Sequence, residues 1–454
     1  MQLQRRETGT MGLTEDKARE LCDRILGLVR ADSAEVWLSE GSEQHLRYAN
    51  NDITSNSVSR RIDVGLSVSY GKRSASISTN QTGDEALRTM VEKVQTMARL
   101  APEDPESMPP VEPATYADPI NWSEATANAA PGDAIERVRP VIEQARAAGV
   151  DSAGYLQRLV YGMALANSRG LFVHQRSASV GFSLTARTGE GNGSGWASTQ
   201  VTDIRDLDLA PVGERAIRKA LASRNAVERA PGRTTVVLEA SAVRDLISLL
   251  IWDLDRRSFD EGRSFLNGLV GEGKDPVGAS LFGDRATLVS DPLAPEAPCA
   301  THSGGLPLNR TAWIEKGVLK TLEVGRFWAG EKKIPVQPGP GNVLMPGDGA
   351  TLDELISQVD DGVLITRLWY LRQVQPQTLL YTGLTRDGTF AIRDGKVVGP
   401  VKNFRFNESP VNILRQIMAS GIPERVLGSE NDMPFHVPPL VVRDFNLSSV
   451  SEAS

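Results

Sequence analysis

The fold is decided by Thr234-Thr-Val-Val-Leu238, which is followed after three residues by Ala242-Val-Arg-Asp-Leu-Ile-Ser-Leu-Leu-Ile-Trp-Asp-Leu254. The first stretch is rich in β-branched residues and predicts a buried strand. In the second stretch, apolar residues recur at intervals of three and four, which predicts a helix with one buried face. Those apolar positions are Val243, Leu246, Ile247, Leu250, Ile251 and Leu254. The sequence therefore predicts a strand that runs directly into a well-packed helix.

The part of the chain around this unit reads mostly as short strands separated by Gly and Pro turns. A composition shift at Val227-Glu-Arg-Ala-Pro-Gly232 marks where this part begins. Thr351-Leu-Asp-Glu354 has the spacing of a capping box and predicts the start of one helix. We therefore predict a larger, strand-rich C-terminal domain over residues 227–447, followed by a polar, disordered tail over 448–454.

The first half of the chain alternates between helical and strand-like patterns. Helices are predicted over Thr14–Arg30, from the capping-box spacing Thr82-Gly-Asp-Glu85 to Leu100, and over Asp133–Ala148. Cys22 falls on the apolar face of the first helix, where a thiol packs like a small hydrophobic group. The Pro-rich stretch 101–131 reads as a connector. These patterns predict an N-terminal α/β domain over 12–226, with a mixed sheet and packed helices, and an α+β fold overall.

Charge and composition exclude several classes of protein. The 454 residues include 50 Lys and Arg against 57 Asp and Glu, and the net charge of -7 argues against a nucleic-acid surface. No stretch reaches the roughly 20 apolar residues that a membrane helix needs. The start lacks the apolar core of a secretory signal, and two cysteines form no disulfide framework, so we expect a cytoplasmic protein.

Few residues offer recognisable catalytic or metal-binding chemistry. None of the four histidines lies in a His-Glu-x-x-His pair. Cys299-Ala-Thr-His302 is one local arrangement of zinc-compatible donors, but zinc takes three or four such ligands, so it is half a site. An ordinary loop is the alternative interpretation of this stretch.

From Thr234 onward the chain resembles the TldD/PmbA metallopeptidase family. In TldD-type members a strand ending in Val-Val-Leu leads into a helix that bears His-Glu-x-x-x-His; the two histidines bind the metal, and the glutamate is the expected general base. An alignment without gaps from Val236-Val-Leu238 places this motif on Ser248-Leu-Leu-Ile-Trp-Asp253. The two histidines are thus replaced by Ser248 and Asp253, and the glutamate by Leu249.

Other segments carry the same resemblance in the same order. They are Val64-Gly-Leu-Ser-Val, Asn167-Ser-Arg-Gly170, Ile314-Glu-Lys-Gly-Val-Leu-Lys320 and Phe390-Ala-Ile-Arg-Asp-Gly-Lys-Val-Val-Gly-Pro-Val401. The family's third metal ligand is a Cys near the C-terminus, and the matching stretch, Val426 to Leu440, contains none. The resemblance is therefore to the PmbA/TldE-like branch that lacks the His-Glu-x-x-x-His motif, and it implies neither a catalytic residue nor a cofactor in this chain.

Three functions follow as hypotheses. The leading one is a non-catalytic subunit of a cytoplasmic complex that acts on unfolded peptides, paired as a heterodimer with a TldD-like paralogue that carries the motif and its zinc. The second is a divergent metallopeptidase that hydrolyses peptide bonds with a relocated metal site at Cys299, His302 and Asp253. The third is a stand-alone homodimer that binds peptides or serves as a scaffold. None of the three involves nucleic acid or a membrane.

Overall fold

The structure is a computed structural model that describes residues 13–189, 192–428 and 433–451. Its α-helices are α1 Glu15–Leu28, α2 Asp84–Leu100, α3 Glu124–Asn128, α4 Pro131–Ala147, α5 Ala210–Ala222, α6 Ala240–Ile251, α7 Arg256–Asp260, α8 Leu266–Val270, α9 Arg326–Lys332, α10 Leu352–Ile356 and α11 Pro410–Arg415. Short 3-10 turns lie at Ile204–Asp206 and Pro376–Thr378.

The strands are β1 Ser33–Ala49, β2 Asp52–Tyr70, β3 Arg73–Thr79, β4 Val150–Asn167, β5 Phe172–Thr188, β6 Ser194–Val201, β7 Gly232–Leu238, β8 Leu288–Ser290, β9 His302–Ser303, β10 Leu306–Pro307, β11 Thr311–Glu315, β12 Val318–Leu319, β13 Val343–Leu344, β14 Asp361–Gln375, β15 Leu380–Arg393, β16 Lys396–Pro400, β17 Phe404–Glu408, β18 Ile417–Ser420, β19 Glu424–Arg425, β20 Phe435–Val437 and β21 Leu440–Val450. The α+β class that the sequence predicts is confirmed.

The N-terminal half forms a six-stranded sheet in the order β3-β2-β1-β4-β5-β6. Every neighbouring pair is antiparallel, so the sheet differs from the mixed sheet that the sequence predicts. The physical reason is that each strand leads into the next by a short turn, except at β3 to β4, where the helical connection still delivers β4 antiparallel to β1. Helices α1, α2, α4 and α5 cover the sheet with two buried apolar clusters.

The predicted helix starts have mixed outcomes. The capping box at Thr351 and Glu354 is confirmed: the Glu354 N–H donates to Thr351 Oγ1 at 3.2 Å, and the Thr351 N–H donates to Glu354 Oε2 at 2.8 Å. The capping box predicted at Thr82 is wrong, because α2 begins one residue later, with Gly83 at the N-cap and no side-chain cap. Cys22 is fully buried on α1, as its position on the apolar face predicts.

The C-terminal half is built around a small closed barrel. Its strands follow the order β14-β7-β21-β17-β15, and pairing between β14 and β15 closes the ring. Strand β7 is parallel to β14 and antiparallel to β21, and α6 begins two residues after β7 ends. The largest buried apolar cluster joins α6 to the barrel strands, so the strand–helix unit predicted from the sequence lies in the main core.

The C-terminal half also contains a second six-stranded sheet, in the order β12-β11-β8-β13-β20-β19. Strand β21 extends to Val450, so Ser448 and Ser449 are ordered strand residues and the polar tail expected from 448 onwards does not begin there. Residues 452–454 lie outside the described part. Among the described helices, none is both long enough and apolar enough to cross a bilayer.

Candidate functional site

Helix α6 is the element on which the resemblance places the metal-binding motif. Its residues are buried almost throughout, because strands of the barrel and helix α11 surround it. The predicted apolar face packs into the core: Val243, Leu246 and Leu250 have no exposed surface. Helix α6 is therefore part of the apolar core.

None of the three motif positions offers a metal ligand to an open cleft. Ser248 is 2% exposed, and its hydroxyl donates to the Asp245 carbonyl oxygen at 2.8 Å. Leu249 packs against the main apolar cluster. Asp253 follows the end of the helix and is partly buried; burial, and then the charge of Asp255, raises the pKa of its carboxyl group. A serine turned into its own helix, a leucine and one carboxylate do not fit a zinc ion.

The relocated site proposed at Cys299, His302 and Asp253 does not come together. Over residues 13–189, 192–428 and 433–451, no three His, Cys, Asp or Glu side chains form a group that could hold a metal. Burial raises the pKa of the Cys299 thiol to about 12 and lowers the pKa of His302. His302 accepts from the Gly305 N–H at 3.4 Å and lies edge-on to the Tyr116 ring, contacts that belong to a packed loop.

The segment that would carry the family's cysteine is tied to α6 by Arg244, one turn before Ser248. The guanidinium of Arg244 donates to the Met433 carbonyl oxygen at 3.2 Å and lies 4.8 Å from the centre of the Phe435 ring. A Cβ atom at Gly428 would overlap the same guanidinium. Residues 429–432 of this segment lie outside the described residues.

A buried ion pair gives α6 a second link, at the N-terminus of the helix. Glu239 precedes the helix, and its Oε2 lies 2.5 Å from Nζ of Lys219 on α5. Both side chains are nearly inaccessible, at 11% and 7% exposure. Lys219 Nζ also donates to the Trp196 carbonyl oxygen at 3.2 Å. Helix α6 is thereby held to the N-terminal half of the chain.

Beyond its pairing with β7, strand β14 still pairs with β15, and we call these paired segments the arm: Arg367–Gln375 with Leu380–Arg386. On the other edge of the arm, β15 pairs with β17. One side of the arm packs on α6, since Leu368 and Leu371 belong to the same apolar cluster. Strand β7 pairs with β14 only as far as Ile365, whose carbonyl oxygen accepts from the Glu239 N–H. Beyond Ile365, no described strand pairs with that edge of β14.

Chemically, these features can bind and position an extended chain. An edge strand exposes main-chain N–H and C=O groups that a peptide can pair with. The arm, the Arg244 link and the Lys219–Glu239 pair do not follow from any local pattern in the sequence. A cluster of Trp, Tyr and Arg at 367–372 is the one signal that could have pointed to the arm.

The chain is similar to one known family and to several solved structures. Three domain descriptions of one family match: PmbA/TldA metallopeptidase domain 1 at residues 34–98, the central domain at 109–224, and the C-terminal domain at 231–449. The comparison with curated proteins gave no match.

Several solved structures share the fold over nearly the whole chain. TldE from Thermococcus kodakarensis is 18% identical, with a TM-score of 0.84, and the match covers 94% of this chain and 99% of that one. Two proteins named as candidate modulators of DNA gyrase are similar. The one from Bacteroides thetaiotaomicron is 20% identical (TM-score 0.84, covering 96% and 100%), and the one from Thermotoga maritima is 16% identical (TM-score 0.82, covering 94% and 99%). The three domain matches together span most of the chain, which therefore belongs to the PmbA/TldD metallopeptidase family.

Proposed function

We propose that this chain is a non-catalytic, TldE-like subunit of a cytoplasmic complex, in which it holds unfolded peptides for a TldD-type partner that carries His-Glu-x-x-x-His and zinc. One observation carries the proposal: the helix that bears the motif in TldD-type members is here buried and intact, while its three motif positions hold Ser248, Leu249 and Asp253. A leucine cannot act as a general base, and a buried serine cannot reach substrate.

The free edge of β14 supports the peptide-holding role. It starts next to the N-terminus of α6, so a peptide paired there runs beside the helix that corresponds to the partner's catalytic helix. Main-chain pairing of this kind is indifferent to side-chain identity, which suits a complex that accepts unfolded chains.

The test is co-expression with a His-Glu-x-x-x-His paralogue from the same genome. We expect the two chains to co-purify and the complex to cleave an unfolded peptide faster than the paralogue alone. Metal analysis should find zinc in proportion to the paralogue, and none with this chain purified alone.

Matched variants assign the chemistry to one chain. Replacing the motif glutamate of the paralogue by glutamine should abolish cleavage, whereas Asp253→Asn in this chain should leave the rate unchanged. Absence of co-purification, together with a stable homodimer in light scattering, would favour the scaffold alternative. Stoichiometric zinc in this chain alone would contradict the non-catalytic role.

A further inference from the structure

The outer side of the arm exposes large apolar side chains. Trp369 is 38% exposed, Tyr370 55% and Val374 55%. On a soluble protein, clustered exposed aromatic side chains mark a binding surface more often than scattered ones do. The arm therefore presents contact area that its own chain does not use.

The backbone is bent to present Tyr370. The register of β14 with β15 shifts between Trp369 and Arg372, and Tyr370 within this bulge has a φ of 57°. A left-handed conformation is costly for an aromatic residue, and bulges re-aim side chains. The Tyr370 ring is 55% exposed despite its contact with Arg372, which points to a role for the ring outside the chain.

Arginine side chains stack on these rings. The Arg367 guanidinium lies between Trp196 and Trp369, at 4.3 Å and 4.9 Å from the ring centres. Arg386 lies 5.3 Å from the centre of the Trp369 ring, and Arg372 lies 4.4 Å from that of Tyr370. Stacking holds a guanidinium in place while its edge remains able to bind a carboxylate in a fork.

The charges of the arm are unbalanced. The arm and the adjoining Asp387 together include three arginines and one aspartate, so their net charge is 3 − 1 = +2, in a chain whose net charge is -7. The aspartate, Asp387, is 2% exposed and already accepts from Arg367 Nη1 at 2.8 Å and from Ser194 Oγ at 2.6 Å. Arg386 Nε also lies 3.9 Å from this carboxylate, so the arginines share one acidic partner and the arm keeps an excess of positive charge.

We infer that the arm selects acidic peptides: an extended segment containing Asp or Glu adds to the free edge of β14, with its carboxylates on Arg372 and Arg386 and its apolar side chains against Trp369 and Tyr370. This inference rests on the proposed peptide-holding role and names the class of peptide. Electrostatic complementarity supplies the selectivity, and main-chain pairing supplies the common part of the affinity.

The test uses fluorescence anisotropy with the full chain and three labelled, unstructured ten-residue peptides that differ only at three positions, which are Glu, Gln or Lys. The Glu peptide should bind roughly tenfold more tightly than the Gln peptide, as two exposed ion pairs allow, and the Lys peptide should bind most weakly. Raising the salt to about 0.5 M should remove most of the difference between peptides.

Charge reversal locates the site. Arg372→Glu with Arg386→Glu should invert the preference towards the Lys peptide, whereas Arg393→Glu, at the other end of the same strand β15, should not. A Glu peptide with alternate main-chain nitrogens methylated should lose binding, because it cannot pair with the strand edge. Circular dichroism of each variant confirms that it is folded.

Each outcome decides the question. Equal binding of the three peptides, an acidic preference that survives the double reversal, or full binding of the methylated peptide would each overturn the inference. Co-purification with the paralogue is scored separately, so loss of acidic selectivity with an intact complex refutes the inference alone. Failure of both the chain and the complex to bind any peptide refutes the peptide-holding role as well.

Discussion

Lys219→Met should be among the most destabilising single substitutions in this chain. Within the part of the chain that the structure describes, Lys219 carries the only charge that is hydrogen-bonded to the Glu239 carboxylate. The change removes it and leaves that carboxylate, 11% exposed, beside an apolar side chain. Breaking a buried ion pair in this way costs about 3–5 kcal/mol. Arg215 lies close enough to interact with Glu239 electrostatically, so we place the loss near the lower end of the range.

Glu239→Gln, which removes the other charge of the pair, should reduce the free energy of unfolding by less. Burial lowers the pKa of Lys219, so after Glu239→Gln the amine can lose its proton and avoid an unpaired buried charge. The double variant, with neither charge, should recover to within about 2 kcal/mol of the wild type, because the desolvation of both groups is also relieved.

Urea unfolding followed by tryptophan fluorescence and circular dichroism measures the three variants, and the double-mutant cycle gives the coupling free energy. We expect the double variant to be more stable than Lys219→Met alone. If Lys219→Met costs less than about 1 kcal/mol, or if the two single losses simply add, then the pair does not hold α6 in place and the reasoning fails.

Three further predictions concern other buried or partly buried residues. Gly428→Ala should cost about 1–3 kcal/mol in urea unfolding, because the new methyl group overlaps the buried Arg244 guanidinium. Asp253→Asn should stabilise the protein at pH 7. Burial raises the pKa of Asp253 in the folded state, so the wild type loses stability as the pH rises and this carboxyl group ionises. In a pH series of unfolding curves, the difference between variant and wild type should vanish below about pH 3, where the carboxyl group is protonated in both the folded and the unfolded state. Burial raises the pKa of the Cys22 and Cys299 thiols to about 12, so both should react with a maleimide only after urea is added. Rapid labelling of the native protein would contradict this, because it would show that the packing around Cys22 on α1 or around the Cys299 loop opens.

Local patterns predicted the elements better than their arrangement. The apolar spacing at 242–254 identified α6 to within three residues at its end, because a buried helix must carry such a face. The box at Thr351 and Glu354 formed as predicted, but the equivalent spacing at Thr82 did not, since a four-residue pattern cannot fix which residue is the N-cap. Strand direction and barrel closure depend on pairings between distant residues, so the antiparallel sheet could not be derived locally.

The candidate site shows the same division. The helix was predicted from its apolar spacing, and the three altered positions stay an assignment that the resemblance makes through a motif of fixed spacing. The arm was not predicted, because its aromatic and arginine stack joins Trp196 of β6 to Arg367 and Trp369 of β14 and Arg386 of β15. In the relocated site, Cys299 and His302 were grouped because they are close in sequence. No sequence pattern placed Asp253 near them.

The contacts of Arg244 explain how α6 can persist without a metal. In a TldD-type member, the resemblance implies a metal that joins this helix to the C-terminal segment, and such a link contributes to folding as well as to catalysis. Here a guanidinium on α6 joins the helix to the same segment through the Met433 carbonyl oxygen and the Phe435 ring. The pair of Glu239 and Lys219 adds a second link at the N-terminus of the helix. A helix retained by two links in its N-terminal half and by a full apolar face is maintained for the geometry of its surroundings, which include the edge of the arm.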